Sequence, residues 1–468
     1  MVAIACDLQR AKRPSLIPLM RPILTLFLTL LAAVLLRAEA PPLDGTMPED
    51  YLPALRPLLK EAVERSPTTL IASVNEANAE AANYGDAAAL WPQLSGSAEY
   101  EIEKSATGDS PSYTSKGLLY QFSGSQQLFA WGALRNQALL GRLGKQIAAR
   151  NFAEAYRLLA VTLREQYMAL VQKKIQLRNA QFTLKIARES QAAEQARFDA
   201  GSSSEAELQT FKMTSEQNQL DSDRAQEDYS YSKQVFARLV GLDALDDTSI
   251  PLELPHPKYS APTADAVLAG FVGGGIESTF QSEVYNLEIH QSDLIYKIAK
   301  VRLLPKFSAN AVASYQNTIQ VGTKPVGTEI QTYDVQGAWQ IFDGFATKGA
   351  KLSALATKRL YERQRQTYVD AAIDQIANLR HALGFSARAM SIAEVHDALI
   401  GAEVKRINQD LALGYASQAQ IDSGTLTLYS WDYQQAYART DFLSRWTEFV
   451  SMAGIDPALA YLSEHHAR

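Results

Sequence analysis

The residue types able to do chemistry are present but dispersed. The six histidines, His256, His290, His381, His396, His465 and His466, form neither an H-E-x-x-H pair nor a zinc spacing. No Walker-type phosphate loop and no G-x-S-x-G nucleophile turn occurs. Gly273-Gly274-Gly275 lacks the strand, spacing and acidic partner of a dinucleotide site, and reads as a hinge. His465-His466 could ligate a metal, but at a chain end the pair reads as a polar tail. Glu99, Glu101 and Glu103 could pair for acid–base work; their strict alternation instead puts all three on one solvated face of a strand. Cys6 is the single cysteine, which excludes a disulfide framework and zinc sites built on paired cysteines. With 45 Lys+Arg against 51 Asp+Glu, no basic excess argues for nucleic acid. The residues predict no enzyme, no cofactor and no metal.

Residues 1–40 read as a cleavable export signal. Arg10, Lys12, Arg13 and Arg21 precede an apolar run from Ile23 to Leu36, and Ala38-Glu39-Ala40 offers a small-residue cleavage site. An uncleaved anchor is the alternative, and Met20 offers a second start. Cleavage removes five basic and two acidic side chains, taking the net charge from −6 to about −9. It also removes Cys6, which suits an oxidising compartment. No cysteine follows the apolar run to accept a lipid.

The elements that must position everything else come in two copies. Trp91-Pro92-Gln93-Leu94-Ser95 recurs as Leu304-Pro305-Lys306-Phe307-Ser308, and Gln127-Leu128-Phe129 as Gln340-Ile341-Phe342. Ala200-Gly201 recurs as Leu413-Gly414, and Gly241-Leu242-Asp243 as Gly454-Ile455-Asp456. One offset, 213 positions, relates every pair. The chain is a tandem duplication, 41–256 and 257–468, joined by a linker around Pro251, Pro255, Pro257 and Pro262.

Each copy predicts a helix, a two-stranded hairpin, a long helix, a glycine turn and a shorter helix. The strands are expected at 94–103 and 118–129, then at 307–316 and 332–342, each with one polar face. Glu99, Glu101, Glu103, Gln121, Asp334 and Gln336 lie on those polar faces. Strands of about ten residues suit a membrane β-barrel; a half-buried sheet on a soluble domain alternates equally well. Four strands leave open edges, so a membrane barrel would need several chains. The segments 104–116 and 317–331 are polar and read as loops.

The helices are expected at 131–200 and 203–240, then at 345–413 and 416–453. Neither Gly132–Ala200 nor Phe345–Leu413 contains proline, and each would run about 100 Å as one helix. Leu163, Leu170, Leu177 and Leu184 form one heptad string; Ile147, Val161, Met168, Ile175 and Phe182 form another, about 200° away. Two stripes fit a helix held between two neighbours in the wall of a cylinder, or one inside a solid bundle. Gly201 and Gly414 read as helix-ending glycines, with Ser203, Ser204 and Ser417 capping the next helices and Glu205 and Glu207 in a first turn.

This order resembles the TolC-type outer-membrane efflux proteins over essentially the whole mature chain. It is carried by Pro92 and Pro305, the corners Leu128-Phe129-Ala130-Trp131-Gly132 and Ile341-Phe342-Asp343-Gly344-Phe345, and the turns at Gly201 and Gly414. The second corner is similar to the family's F-D-G-G; the first departs from it. The resemblance implies a homotrimer with a 12-stranded barrel in outer-membrane lipid and an α-helical tunnel in the periplasm. It implies a passive exit duct of a tripartite efflux or type I secretion system, served by a periplasmic adaptor and an inner-membrane pump of RND or ABC type. Gly201, Ser203, Ser204, Glu205, Glu207, Gly414, Ala416, Ser417, Gln420 and Asp422 would then form the tip that meets the adaptor and narrows the entrance. Members often carry aspartates six and nine positions after the second glycine; Gln420 and Ser423 stand there. The alternative is a periplasmic coiled-coil scaffold that conducts nothing.

Overall fold

Pro92 and Pro305 follow helices they cannot continue, and each opens a hairpin. The computed structural model describes residues 46–105, 113–320, 324 and 326–466, all within one unit, Leu43–Arg468. The signal segment and Cys6 lie outside the described residues, as do the side chains of His465 and His466.

After one helical turn at Pro48–Tyr51 come α1 (Leu55–Arg65), α2 (Pro67–Ala88), β1 (Gln93–Ser105), β2 (Tyr113–Phe129), α3 (Ala133–Asp199) and α4 (Glu205–Val240). The second copy runs α5 (Ala261–Val272), α6 (Phe280–Lys300), β3 (Lys306–Gln320), β4 (Val326–Ala338), α7 (Ala346–Ala412) and α8 (Gln418–Met452), followed by α9 (Ala460–His466). The starts of α2, β1, β2, α3 and α4 lie 213 positions before those of α6, β3, β4, α7 and α8.

α3 packs against α2 and α4 on one side and α6 and α8 on the other. Its two apolar stripes face those two sides. Leu163, Leu170, Leu177, Leu184, Met168 and Ile175 are buried, while Ile147, Val161 and Phe182 are half-buried. The shorter helices abut end to end along it. A Cβ on Gly241, just past α4, would stand 2.1 Å from the carbonyl oxygen of Arg65, just before α2. The start of α6 and the end of α8 likewise line one cavity. The helices thus form a wall of four columns, α4 with α2, α3, α8 with α6, and α7. A continuous core around Phe152, Tyr156, Leu163, Phe236, Phe442 and Phe449 joins the columns to α1 and α5 at mid-height. There Arg164, fully buried, bonds Glu49 and Asp456 from the two ends of the chain.

The hairpins are longer than the sequence reading allowed. β1 continues to Ser105, β2 begins at Tyr113, β3 continues to Gln320 and β4 begins at Val326, so residues 104–105, 113–116, 317–320 and 326–331 of the polar segments are strand. Their polar residues continue the same alternation, and the ladder takes them in: Lys104 pairs with Thr114, and Asn317 with Gly327. At its other end β4 stops at Ala338 instead of reaching Phe342. Its partner β3 begins at Lys306 behind Pro305, which has no N–H to extend the ladder. Pro262, expected in the linker, sits in the first turn of α5, where a missing N–H costs nothing.

Candidate pore face and helical tip

The sheet is antiparallel in the order β1-β2-β3-β4, with β1 and β4 at open edges. Residues paired across neighbouring strands share a face, so register decides which side chains gather. Gln121 pairs with Ser97 and with Ser314; Glu99, Glu101 and Glu103 pair with Leu119, Gly117 and Ser115. Asp334 pairs with Asn310, and Gln336 with Ser308. All six residues expected on a polar face are therefore on one face. Ser95 and Ser123 hydroxyls meet at 2.7 Å, and the Asn310 amide donates to Asp334 at 2.8 Å. A bulge at Leu128 shifts the register between Gln127 and Phe129.

The other face is apolar and uncovered. Leu94, Tyr100, Ile102, Phe122, Tyr333 and Val335 are all exposed. Trp91, Phe129, Trp131, Trp339, Phe342 and Phe345, also exposed, cluster where strands meet helices. Tyr100, Tyr120 and Tyr315 lie further along β1, β2 and β3, seven to nine positions from their helix-side ends. Eight residues separate Phe307 from Tyr315, about 26 Å along a strand or about 20 Å of height at barrel tilt. This matches two aromatic belts around an apolar band. No described helix is long and apolar enough to cross a membrane.

The strand-to-helix corners are built alike. Trp131 and Gly132, then Gly344 and Phe345, all take positive φ. Trp131 donates its indole N–H to the Pro305 carbonyl at 2.7 Å, and Trp339 donates to Leu303 at 3.0 Å. Asp343 caps α7 by accepting from the Thr347 amide at 2.8 Å and its hydroxyl at 2.6 Å. These tethers were not evident in the sequence.

At the far end, each turn is a closed hydrogen-bonded unit. Gly201 and Gly414 have φ of +74° and +80°. Backbone bonds Ser202 N to Arg197 O at 2.9 Å and Tyr415 N to Asp410 O at 2.8 Å close the two helix ends. Ser204 and Glu207 form a reciprocal capping box, as do Ser417 and Gln420. Bonds from the Ser204 amide and the Ser204 and Ser203 hydroxyls hold the Glu207 carboxyl below its usual range. Ser203 also donates to the buried Glu194. Glu205 is exposed in the first turn of α4, and Ala416 is half-buried between its turn and α8. Asp422 accepts from Gln418 at 3.0 Å.

The structure thus brings together Ser203, Ser204 and Glu207 in one turn and Ser417 with Gln420 in the other. Leu413 and Tyr415 flank the second glycine, 68% and 82% exposed, and form an apolar tip.

Residues 58–242 match the model of the outer membrane efflux protein family. That stretch spans most of the first repeat. No curated protein matches the chain. Solved structures share the fold of both repeats. The Campylobacter jejuni CmeC outer membrane channel is 12% identical over 90% of this chain and 92% of its own, with a TM-score of 0.66. The Vibrio cholerae outer membrane protein VceC is 15% identical over 88% and 100%, at 0.62. The open-state Neisseria gonorrhoeae MtrE outer membrane channel is 15% identical over 86% and 89%, at 0.64. The efflux-protein fold therefore extends through the second repeat: tandem copies, a sheet at one end and a helical wall along the rest.

Proposed function

We propose that the chain is an outer-membrane exit duct, a homotrimer that passively conducts cargo delivered by a periplasmic adaptor and an inner-membrane pump. The observation that carries this is an incomplete internal symmetry. α3 packs against α6 and α8, yet among the described residues α7, its counterpart, has no such pair of helices on the equivalent side. Phe385, Ile392 and Leu399 lie exposed there at heptad spacing. The counterparts of α6 and α8 are α2 and α4, whose free face exposes Ile71, Val74, Met213 and Leu220. A second copy would join α7 to α2 and α4 as α3 joins α6 and α8, and such head-to-tail contacts close into a ring.

The strands obey the same rule. Shifting the Phe122–Ala313 pair by one repeat sets Val335 of one copy opposite Tyr100 of the next. It also carries Trp339–Phe342 into a ladder, supplying the partner that β4 lacks alone. Three copies give 12 strands, enclosing Glu99, Glu101, Glu103, Gln121, Asp334 and Gln336 in a polar lumen. The ten tip residues from Gly201 to Glu207 and Gly414 to Asp422 would meet the adaptor, with the second turn at the constriction.

The test is conductance of the purified protein in planar bilayers, together with thiol crosslinking of Tyr100→Cys/Val335→Cys. Crosslinks between chains are expected, whereas Tyr100→Cys/Asp334→Cys, whose side chains face opposite ways, should give none. Crosslinked trimers without any conductance would support the scaffold reading instead. Crosslinks from Ser203→Cys or Ala416→Cys to a co-expressed adaptor test the tip. Adaptor crosslinks arising instead near Pro251–Pro262 would reverse the orientation.

A further inference from the structure

Where α6 and α8 abut between α3 and α7 there is a cavity of about 490 Å³, a size usual for small-molecule sites. One wall is aromatic. Tyr285 and Tyr368 stand with ring centroids 6.0 Å apart, the Tyr368 hydroxyl meets Thr279 Oγ1 at 3.2 Å, and Phe280 lies beside them. Leu158, Val161, Leu379 and Met452 add aliphatic surface, and Leu158 is left 52% exposed.

The charges in the lining are unequal. Arg157 is fully engaged, by both oxygens of Glu154 at 2.7 and 2.6 Å and by the Ser451 hydroxyl at 2.9 Å. Glu448 has no cation at salt-bridge distance among the described residues; its neighbour is the carboxyl of Glu165, whose pKa it raises. Arg445, one turn earlier on α8, is held by Asp441 at 3.0 Å. The remaining ionisable groups of the lining are the two tyrosines; on the same elements Arg150 is held by Glu283 at 2.6 Å, Arg365 by Glu277, and Arg164 by Glu49 and Asp456, while Arg445 attracts Glu448 from beyond salt-bridge distance. The abutting ends of α8 and α6 bring opposite half-charges that offset each other. What remains is an aromatic wall and a carboxyl pair with no salt-bridged cation among the described residues, the chemistry that recognises quaternary ammonium groups.

We propose that this cavity binds an organic cation with apolar substituents, its charge on Glu448, which Glu165 neighbours, and its body against Tyr285, Tyr368 and Phe280. Such an occupant would bridge α3 and α7 at the joint between α6 and α8. Burial and the neighbouring Glu448 push the Glu165 carboxyl up to about 7, so the pair keeps a proton that the cation would displace.

The test is calorimetric titration of the full chain in non-ionic detergent with benzyltrimethylammonium, and with its uncharged carbon isostere neopentylbenzene, at pH 6 and pH 8. Saturable binding of the cation is expected, about tenfold tighter at pH 8, as follows from loss of one proton near pH 7. Glu448→Gln should weaken binding at pH 8 by about tenfold or more. Glu165→Gln should keep binding and abolish its pH dependence, and Tyr368→Leu should weaken it at both pH values. A thermal midpoint no lower than that of the unaltered chain, for each variant, separates these effects from misfolding. No saturable binding by the unaltered chain, equal binding of neopentylbenzene, or an unaffected Glu448→Gln would overturn the proposal. Conductance of the same preparation reports on the duct separately.

Discussion

Arg164 shows how a single buried charge can organise distant parts of the chain. Its guanidinium bonds Glu49 at 2.8 and 2.6 Å and Asp456 at 2.6 and 2.8 Å. Desolvation pulls its pKa down, but the two carboxylates outweigh this and hold it above the ordinary value. Removing one member leaves a buried charge uncompensated, so Arg164→Ala should cost about 3–5 kcal/mol in denaturant unfolding. Replacing all three by apolar residues should recover much of that, as a double- or triple-mutant cycle would show. A second residue-scale prediction concerns pH. Glu165 has a native pKa raised from 4.5 to about 7, so the folded chain holds its proton longer than the unfolded chain. Stability should therefore fall as pH rises from 4.5 to about 7 and level off above. Because the carboxyl is only half-buried, the loss should be about 1–2 kcal/mol, and thermal midpoints of Glu165→Gln should lack that decline. Neither feature was legible in the sequence. The partners of Arg164 lie 115 and 292 positions away, and no period connects them. The one trace was a broken repeat, since Ala377 stands where the second copy should carry arginine.

At the scale of elements, the sequence was most informative where local chemistry decides. The capping serines and turn glycines act within a few residues, so their spacing alone locates the turns. Strand ends were less legible because they depend on a partner strand: Val326–Gln331 looked like loop but pairs with β3, while Trp339–Phe342 looked like strand but has no partner strand among the described residues. Glycines that share one backbone conformation also differ in surroundings. Gly201 has nothing within 4 Å of a would-be Cβ, so Gly201→Ala should cost only the left-handed strain, about 1–2 kcal/mol. Gly241 would drive a Cβ into the Arg65 backbone where α4 meets α2. Gly241→Ala adds overpacking to the same strain and should cost about 2–5 kcal/mol. Urea unfolding of the two variants side by side checks the order; equal losses would mean that the α4–α2 joint yields freely.

At the scale of the whole molecule, the duplication was legible, but the use of its unfilled edges was not, because the sequence shows which faces are apolar and not what covers them. In the proposed ring, the second-repeat turns converge on the axis, and the charge they carry should set how the entrance treats cations. Ser417 takes Gln420 into its capping box, with the Ser417 amide donating to Gln420 at 2.7 Å, and Asp422 is bonded by Gln418. The positions six and nine after Gly414 therefore carry no carboxylate. A trivalent cation such as hexaamminecobalt(III) should block conductance only weakly. Introducing Gln420→Asp together with Ser423→Asp would place two carboxylates per chain at the constriction, and aspartate in the first turn of α8 is compatible with the helix dipole. A unit pair at about 4 Å and surface dielectric contributes about 4 kcal/mol, whereas a tenfold tighter block needs only about 1.4 kcal/mol. The double variant should thus lower the half-blocking concentration at least tenfold when the cation is added from the tip side. If the variant folds, conducts and shows unchanged block, the second turn does not line the constriction, and the charge-setting position lies elsewhere along α7 and α8.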